Sequence, residues 1–390
     1  MLGAVSTSAF PGRIIGGYFY RKLNLKRCRL RLSNNMNTEN GLHEKNYYSH
    51  SKPVTTTSTS SCLWRHRLLI KHTQFQGFST YSTSTINTSS STNVKENKGK
   101  ENKNLVFLSS VAFHPSPGKP NPLGEDATFI AEDRQALGVA DGVGAWKQVN
   151  IDSGKYSREL MRNAKSYFEA QDKCRDPKMA MQLAYQLTKN KGTCTCCIVA
   201  IEGETLKTAN FGDAGFLVLR PCLKHTDECF SIGKIPTLGS EDVEWTLLYK
   251  SFEMQHYFNC PVQMGTGSED TPQSVADTLI LPVRPGDILI TATDGLFDNL
   301  YVNDIKTIIA KEPFLTSQDT DIRTCLEEWI HRVTEKIGAG AIATALSSVQ
   351  RTPFSVQAKR AGLSYTGGKM DDITIITSFI LESSYLVDDK

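Results

Sequence analysis

The sequence Ile288-Leu289-Ile290-Thr291-Ala292-Thr293-Asp294-Gly295-Leu296-Phe297-Asp298-Asn299 passes from an apolar, β-branched run straight into a carboxylate beside glycine. β-Branched residues favour a pleated backbone and an Asp-Gly step ends one, so a strand closing at Asp294 is predicted. The pattern recurs upstream. Leu137-Gly138-Val139-Ala140 runs into Asp141-Gly142, and Asn210-Phe211-Gly212-Asp213 closes another strand-like run. A single Asp-Gly pair is more often a turn than a site. Three aspartates at strand ends, each beside glycine, point instead to a shared site lined with oxygen ligands, which suits hard metal ions.

The 390 residues allow two average domains, or one large domain with an extension. With 39% hydrophobic and 22% charged residues the composition is that of a soluble globular protein, and a net charge of +3 gives no reason to expect a nucleic-acid partner. The basic excess is concentrated at the front. No acidic residue precedes Glu39 and none lies between Glu44 and Glu96, while Arg13, Arg21, Lys22, Lys26, Arg27, Arg29 and Arg31 crowd the start. Hydroxyl-rich tracts follow at Thr55–Ser61 and Ser79–Thr92. Basic, hydroxyl-rich and acid-poor is the composition of an organellar transit peptide, so residues 1–100 are expected to be a transit peptide within a disordered Ser/Thr-rich extension. The dense early arginines favour a mitochondrial address, matrix included, with chloroplast or cytosol as alternatives. No apolar run approaches the roughly 20 residues that span a bilayer as a helix.

From Leu105 the sequence changes to short apolar runs bounded by Gly, Pro and Asp. Strands are predicted at Leu105–Phe113, Asp126–Ala131, Gln135–Ala140, Thr193–Ile201, Thr205–Phe211, Phe216–Leu219, Asp277–Leu281, Ile288–Thr293 and Ile373–Ile380. Helices are predicted at Tyr156–Ala170, Asp176–Thr188, Asn303–Ile309, Ile322–Ile337 and Ala341–Gln350. Pro221–Ser274 and Arg351–Lys369 read as irregular. Runs of strands separated by pairs of helices suggest antiparallel sheets with helices outside, an α+β fold in one domain over residues 105–385. In the predicted strand Thr193–Ile201, Cys194 and Cys196 share one face and Cys197 takes the other, so buried thiols are expected there; a zinc site would need a second ligand pair, which is lacking.

The candidate ligands are Glu125, Asp126, Asp141, Asp213, Asp294, Asp371 and Asp372, with the backbone carbonyl of Gly142 as an eighth oxygen source. Converging carboxylates repel one another and take up protons unless cations neutralise them. Oxygen ligands without cysteine or histidine select Mg²⁺ or Mn²⁺ over zinc. The glycines would leave room for water and a phosphate beside the ions.

The order of these motifs, and Val139-Ala140-Asp141-Gly142-Val143-Gly144, Ala292–Asn299 and Asp371-Asp372-Ile373-Thr374 themselves, resemble the metal-dependent protein phosphatases of the 2C type. Gly144-Ala145-Trp146 and Gln255-His256-Tyr257-Phe258-Asn259-Cys260-Pro261 look like the branch with mitochondrial members. The resemblance covers about Leu105 to Ile380. It implies a four-layer fold, a central β-sandwich of two antiparallel sheets flanked by helices, with two Mn²⁺ or Mg²⁺ ions at one edge. By position Asp141 would bridge both ions with help from the Gly142 carbonyl. Asp294 and Asp371 would hold one ion, and Asp126, with Glu125, would orient waters at the other. Asp213 with Asp294 can hold a weaker third ion. The implied activity is hydrolysis of phosphoserine and phosphothreonine in phosphoproteins by a hydroxide bridging the two ions, without a covalent intermediate, in a monomer. The alternatives are a catalytically silent scaffold of the same fold and a hydrolase of small phosphate esters. Val143-Gly144 stands where many relatives carry a histidine acid. Lys119 is the candidate phosphate contact in place of the usual arginine, with a solvated loop lysine as the competing reading.

Overall fold

The computed structural model describes residues 104–117, 119, 122–170, 175–224, 243–314 and 321–386. The basic extension over 1–100 lies outside them, as do Gly118, Pro120 and Asn121 beside Lys119.

Two antiparallel sheets form the centre. One has the order β1 (Leu105–His114), β13 (Ile373–Glu382), β12 (Ile288–Ala292), β6 (Gly215–Leu223) and β7 (Val243–Lys250). The other runs β11 (Asp277–Pro282), β5 (Thr205–Phe211), β4 (Thr193–Glu202), β3 (Ala136–Gly142) and β2 (Asp126–Ile130). A short strand, β10 (Met264–Gly265), also pairs with β4, and β8 (Gln255–Tyr257) forms a hairpin with β9 (Cys260–Pro261). The helices are α1 (Ser153–Ala170), α2 (Pro177–Leu187), α3 (Pro272–Val275), α4 (Asp294–Phe297), α5 (Val302–Lys311), α6 (Ile322–Ala345) and α7 (Pro353–Arg360).

The period-two alternation of the strands sorts their side chains into three cores. Between the sheets lie Leu137, Val139, Cys197, Val199, Phe216, Leu289, Ile376 and Ile380. Their strand neighbours point outward to the helices. Ala136, Ala140, Cys194, Cys196 and Ile198 meet Tyr156, Leu160 and Met181, while Ile288, Ile290, Ile375 and Phe379 meet Ile305, Trp329, Ile330 and Val333. Helix, sheet, sheet, helix is the four-layer α+β sandwich expected from the sequence. The cysteines of β4 are divided between faces as predicted, all three buried. Burial pushes their thiols well above the ordinary cysteine value.

Three readings needed correction. The irregular stretch 221–274 contains an edge strand, β7. A register shift opposite Val218 and Leu219 breaks its alternation after Val243 and Trp245, which hides it from a period-two search. The two helices predicted at Ile322–Ile337 and Ala341–Gln350 are one helix of 24 residues, ending at Ala345. Gly338 does not break it, because a side chain there would meet His114 at 2.5 Å, so glycine admits β1 rather than ending the helix. The loop Arg351–Lys369 begins with α7, whose start is signalled by Thr352-Pro353-Phe354-Ser355: Thr352 Oγ1 accepts from the Ser355 amide at 3.0 Å, and Ser355 Oγ accepts from the Thr352 amide at 2.9 Å.

The glycine of Asp294-Gly295 has a structural reason different from room for solvent. A Cβ on Gly295 would stand 2.0 Å from the carbonyl oxygen of Asp372, so two chain segments cross where only a hydrogen fits. Gly142 is confined likewise, with the Glu125 carbonyl and the Ser157 hydroxyl each 2.7 Å from a built Cβ. Gly295→Ala is therefore expected to destabilise the protein by at least about 1–3 kcal/mol, the usual cost of forcing a methyl group into a packed site; urea denaturation measures it, and an unchanged midpoint would refute the crossing.

Candidate metal centre

Strand register sets the first pair. β2 and β3 are antiparallel with Asp126 opposite Asp141, so the two carboxylates are cross-strand neighbours. β12 and β13 bring a second group from the other sheet. Their pairing continues one residue past the end of β12, where the Thr293 amide donates to the Thr374 carbonyl at 3.1 Å, and the Thr374 amide in turn donates to the side-chain Oγ1 of Thr293 at 3.1 Å. Asp294 follows the first threonine, and Asp371 and Asp372 precede the second by a few residues. β5 ends at Phe211, and Gly212 (φ +89°) turns the chain so that Asp213 follows, buried, near Asp294.

The threonines clamp one oxygen of Asp126. Thr293 Oγ1 donates to Asp126 Oδ2 at 2.9 Å and Thr374 Oγ1 donates to the same atom at 2.6 Å. The other oxygen, Oδ1, is buried without a hydrogen-bond partner among the described residues, and so is Oδ1 of Asp294. A buried carboxylate oxygen without a donor is costly in a folded protein unless a cation is to meet it. The Asp141 carboxylate has no hydrogen bond or ion pair among the described residues.

The charges around these groups report their convergence. Burial, and then the carboxylates of Asp126, Asp294, Asp371 and Asp213, push the Asp141 carboxyl well above its ordinary range. Burial and the charges of Asp372 and Asp371 raise Asp126 to about 8, against the hydrogen bonds from Thr374 and Thr293. Asp213 is raised well above its ordinary value by burial and by Asp294, although Lys369 opposes this. Asp298 is raised to about 7 by burial, again against Lys369. For Asp371 burial acts upward, but Lys369 and Lys119 together outweigh it and hold the carboxyl low.

Asp371 and Asp372 are adjacent yet do different work. Asp372 is buried and anchors backbone: its Oδ1 accepts from the Ser116 amide and its Oδ2 from the Glu125 amide, each at 2.7 Å. It fixes the loop that delivers Glu125 and Asp126. Asp371 remains partly open, flanked by Lys119 and Lys369, each at 3.4 Å. Glu125 is buried too and ion-paired to Lys119 at 2.7 Å and Lys147 at 3.4 Å.

Every sequence-predicted site residue thus reaches one neighbourhood, although Lys119 is not free. Its ammonium is 2.7 Å from Glu125 and 2.7 Å from Asp372, and these acids with Asp371 raise its pKa despite burial. Lys369 makes the corresponding bridge on the other side, between Asp294, Asp298 and Asp371. Among the described residues no three His, Cys, Asp or Glu side chains stand in a ready-made metal-binding arrangement, and the two lysines pair with several of the acids. The donor set nonetheless fits hard divalent cations: it is all oxygen, it is over-supplied with negative charge, and two of its buried oxygens have no donor. Sequence reasoning missed Lys369, Thr293 and Thr374. Each sits within or beside a quoted acidic motif, and position alone marked them.

No protein-family model matches the chain. Individual proteins do. It is 36% identical over 282 residues to the probable protein phosphatase 2C 55 of Arabidopsis thaliana, covering 72% of this chain and 53% of that protein. It is 33% identical over 277 residues to the protein phosphatase PTC7 homolog of Homo sapiens, covering 66% of this chain and 80% of that one. The chain spans about half the length of the Arabidopsis relative it matches. Among solved structures, the photosystem II phosphatase PBCP superposes with a TM-score of 0.56 at 23% identity, over 71% of this chain and 98% of that one, which is a likeness of fold. An identity of one third, sustained across most of the human relative and carried by a sandwich with acids at its edge, leads to one statement: the chain belongs to the protein phosphatase 2C family.

Proposed function

We propose that the chain is a metal-dependent protein serine/threonine phosphatase acting on phosphoproteins, with residues 105–385 as the catalytic domain and a mitochondrial leader before it. The observation that carries the reading is the pair of donorless buried oxygens, Asp126 Oδ1 and Asp294 Oδ1, on two acids whose charges both act on the carboxyl of Asp141. Asp141, Asp294 and Asp371, with the Gly142 carbonyl, are the ligand candidates for two ions; Asp126 would orient waters, and Asp213 with Asp294 is the candidate pair for a weaker third ion. When bound, two Mn²⁺ or Mg²⁺ ions would supply an acidified attacking water and positive charge against the phosphoryl oxygens.

The chain's own residues supply the rest. The threonine clamp fixes Asp126 in one rotamer, so its free oxygen is held rather than searched for. Asp372 holds the Glu125 backbone, and therefore the start of β2, in register with the far sheet. Lys119, 16% exposed at its side chain, lies at the border of the acids and becomes available to a phosphate once the acids are neutralised otherwise. Retention of the whole acid set favours an enzyme over a silent scaffold, because burying unpaired carboxylates without a cation is unfavourable.

Hydrolysis of a phosphopeptide in the presence of Mn²⁺ tests the reading. Asp141→Asn and Asp294→Asn should each lower kcat/KM by more than the roughly 10–100-fold typical of losing an outer partner of a metal ligand; metal-independent turnover, or none in the wild type, would overturn it. The metal-free protein should also lose stability as pH rises. Asp126 and Asp298 keep protons in the folded state up to about 8 and about 7, whereas the unfolded chain releases them near 3.8. Deprotonation therefore penalises the folded state increasingly from about pH 4 to pH 8, and Asp371, held low, does not offset this, because its stabilisation is already in place above about pH 4 and is lost only toward acid. Melting temperatures across that range, with and without Mn²⁺, check it: the decline should be present without the metal and reduced with it. For the leader, residues 1–100 fused to a fluorescent reporter should mark mitochondria, and a diffuse cytosolic signal would count against the address.

A further inference from the structure

Lys369 is held in place from several sides. Its amide donates to Asn299 Oδ1 at 3.0 Å and its carbonyl accepts from Asn299 Nδ2 at 2.9 Å. Its ammonium lies 5.4 Å from the centre of the Phe354 ring, on the helix that begins just after Thr352. With the backbone pinned and the side chain 16% exposed, the ammonium bridges Oδ2 of Asp294 and Oδ2 of Asp298, the latter at 2.7 Å, and reaches Asp371 at 3.4 Å. Asp213 lies in the same field, since its charge interacts with Asp294, Lys369 and Asp298.

These contacts divide Asp294 into two functions. Oδ2 belongs to the lysine, and Oδ1 has no partner among the described residues. A divalent ion taking both Asp294 and Asp298 would have to displace a tethered ammonium that is already paired with these two carboxylates. A free ion in solution competes poorly with a charge that is covalently attached and pre-positioned.

We propose that Lys369 is a built-in cation that takes the place of a third metal ion beside Asp213, Asp294 and Asp298, so that the loaded protein holds two ions and not three. The proposal rests on the metal-centre reading above and refines it. Asp298 is then the lysine's counter-ion, and Asn299 and Phe354 are the residues that position it.

Equilibrium dialysis of the full chain against Mn²⁺, with bound metal counted per chain, tests this without reference to turnover. The wild type should saturate at two ions. Lys369→Gln should gain one weaker ion, Lys369→Arg should stay at two, and Lys369→Gln combined with Asp213→Asn should return to two. The rise in melting temperature on adding Mn²⁺ should be larger for Lys369→Gln than for the wild type, a difference that a purely packing role would not produce. If Lys369→Gln folds only when Mn²⁺ is present, and then with three ions, the proposal stands. A third ion in the wild type, only two in Lys369→Gln, or a Lys369→Gln that stays unfolded in Mn²⁺ overturns it. A wild type that binds no Mn²⁺ overturns the metal centre itself and this proposal with it, an outcome distinct from the other three.

Discussion

Mutual repulsion among buried carboxylates is the constraint on which the rest of this structure depends. Two like charges 4 Å apart cost about 4 kcal/mol even at the effective dielectric of a protein surface, and this site gathers more than two. Such a cluster persists only where protons, metal ions or lysines offset it. Two of these remedies are visible in the structure: raised pKa values at Asp126, Asp141, Asp213 and Asp298, and the ammoniums of Lys119 and Lys369. The lysines divide the cluster between them, Lys119 taking Glu125 and Asp372 while Lys369 takes Asp294 and Asp298.

Holding repelling groups together requires a rigid frame, and here the frame is backbone. Asp372 ties the segments before β2 to the start of β13 through two amides. The carbonyl of the same residue presses against Gly295, so the two motifs carrying Asp294 and Asp371 cannot separate without opening a void, nor approach further. Thr293 and Thr374 join both to Asp126. Side chains that never reach the open face of the site therefore decide where its ligands stand.

Antiparallel sheets with helices outside were legible from short apolar runs, the pattern left by strands buried on both faces, and the acids from Asp-Gly at the strand ends, while the sandwich of two sheets came with the resemblance to the 2C-type phosphatases. What escaped notice did so for identifiable reasons. The bulge in β7 shifts the alternation after Trp245, so pattern matching fails where the geometry is still a strand. Gly338 resembles a helix end because glycine's low helix propensity is local, while the close approach of His114 that requires it is tertiary. Lys369 stood beside two acids without being singled out. Only the fold places Asp294 and Asp298, some seventy residues earlier, around its ammonium.

The pairing of β1 with β13 joins Leu105 to Glu382 and His114 to Ile373, the first and last strands of the described fold. β13 is also the central neighbour of β12, so neither sheet edge nor acidic cluster is complete until the final strand has entered. A ribosome emitting this chain from its N-terminus would release β1 long before its partner exists, and contacts of such sequence separation form late and slowly. The acidic cluster is thereby incomplete in every nascent chain that lacks β13. Any stretch of time spent unfolded keeps the carboxylates dispersed in water, and their mutual repulsion is first met when β13 enters.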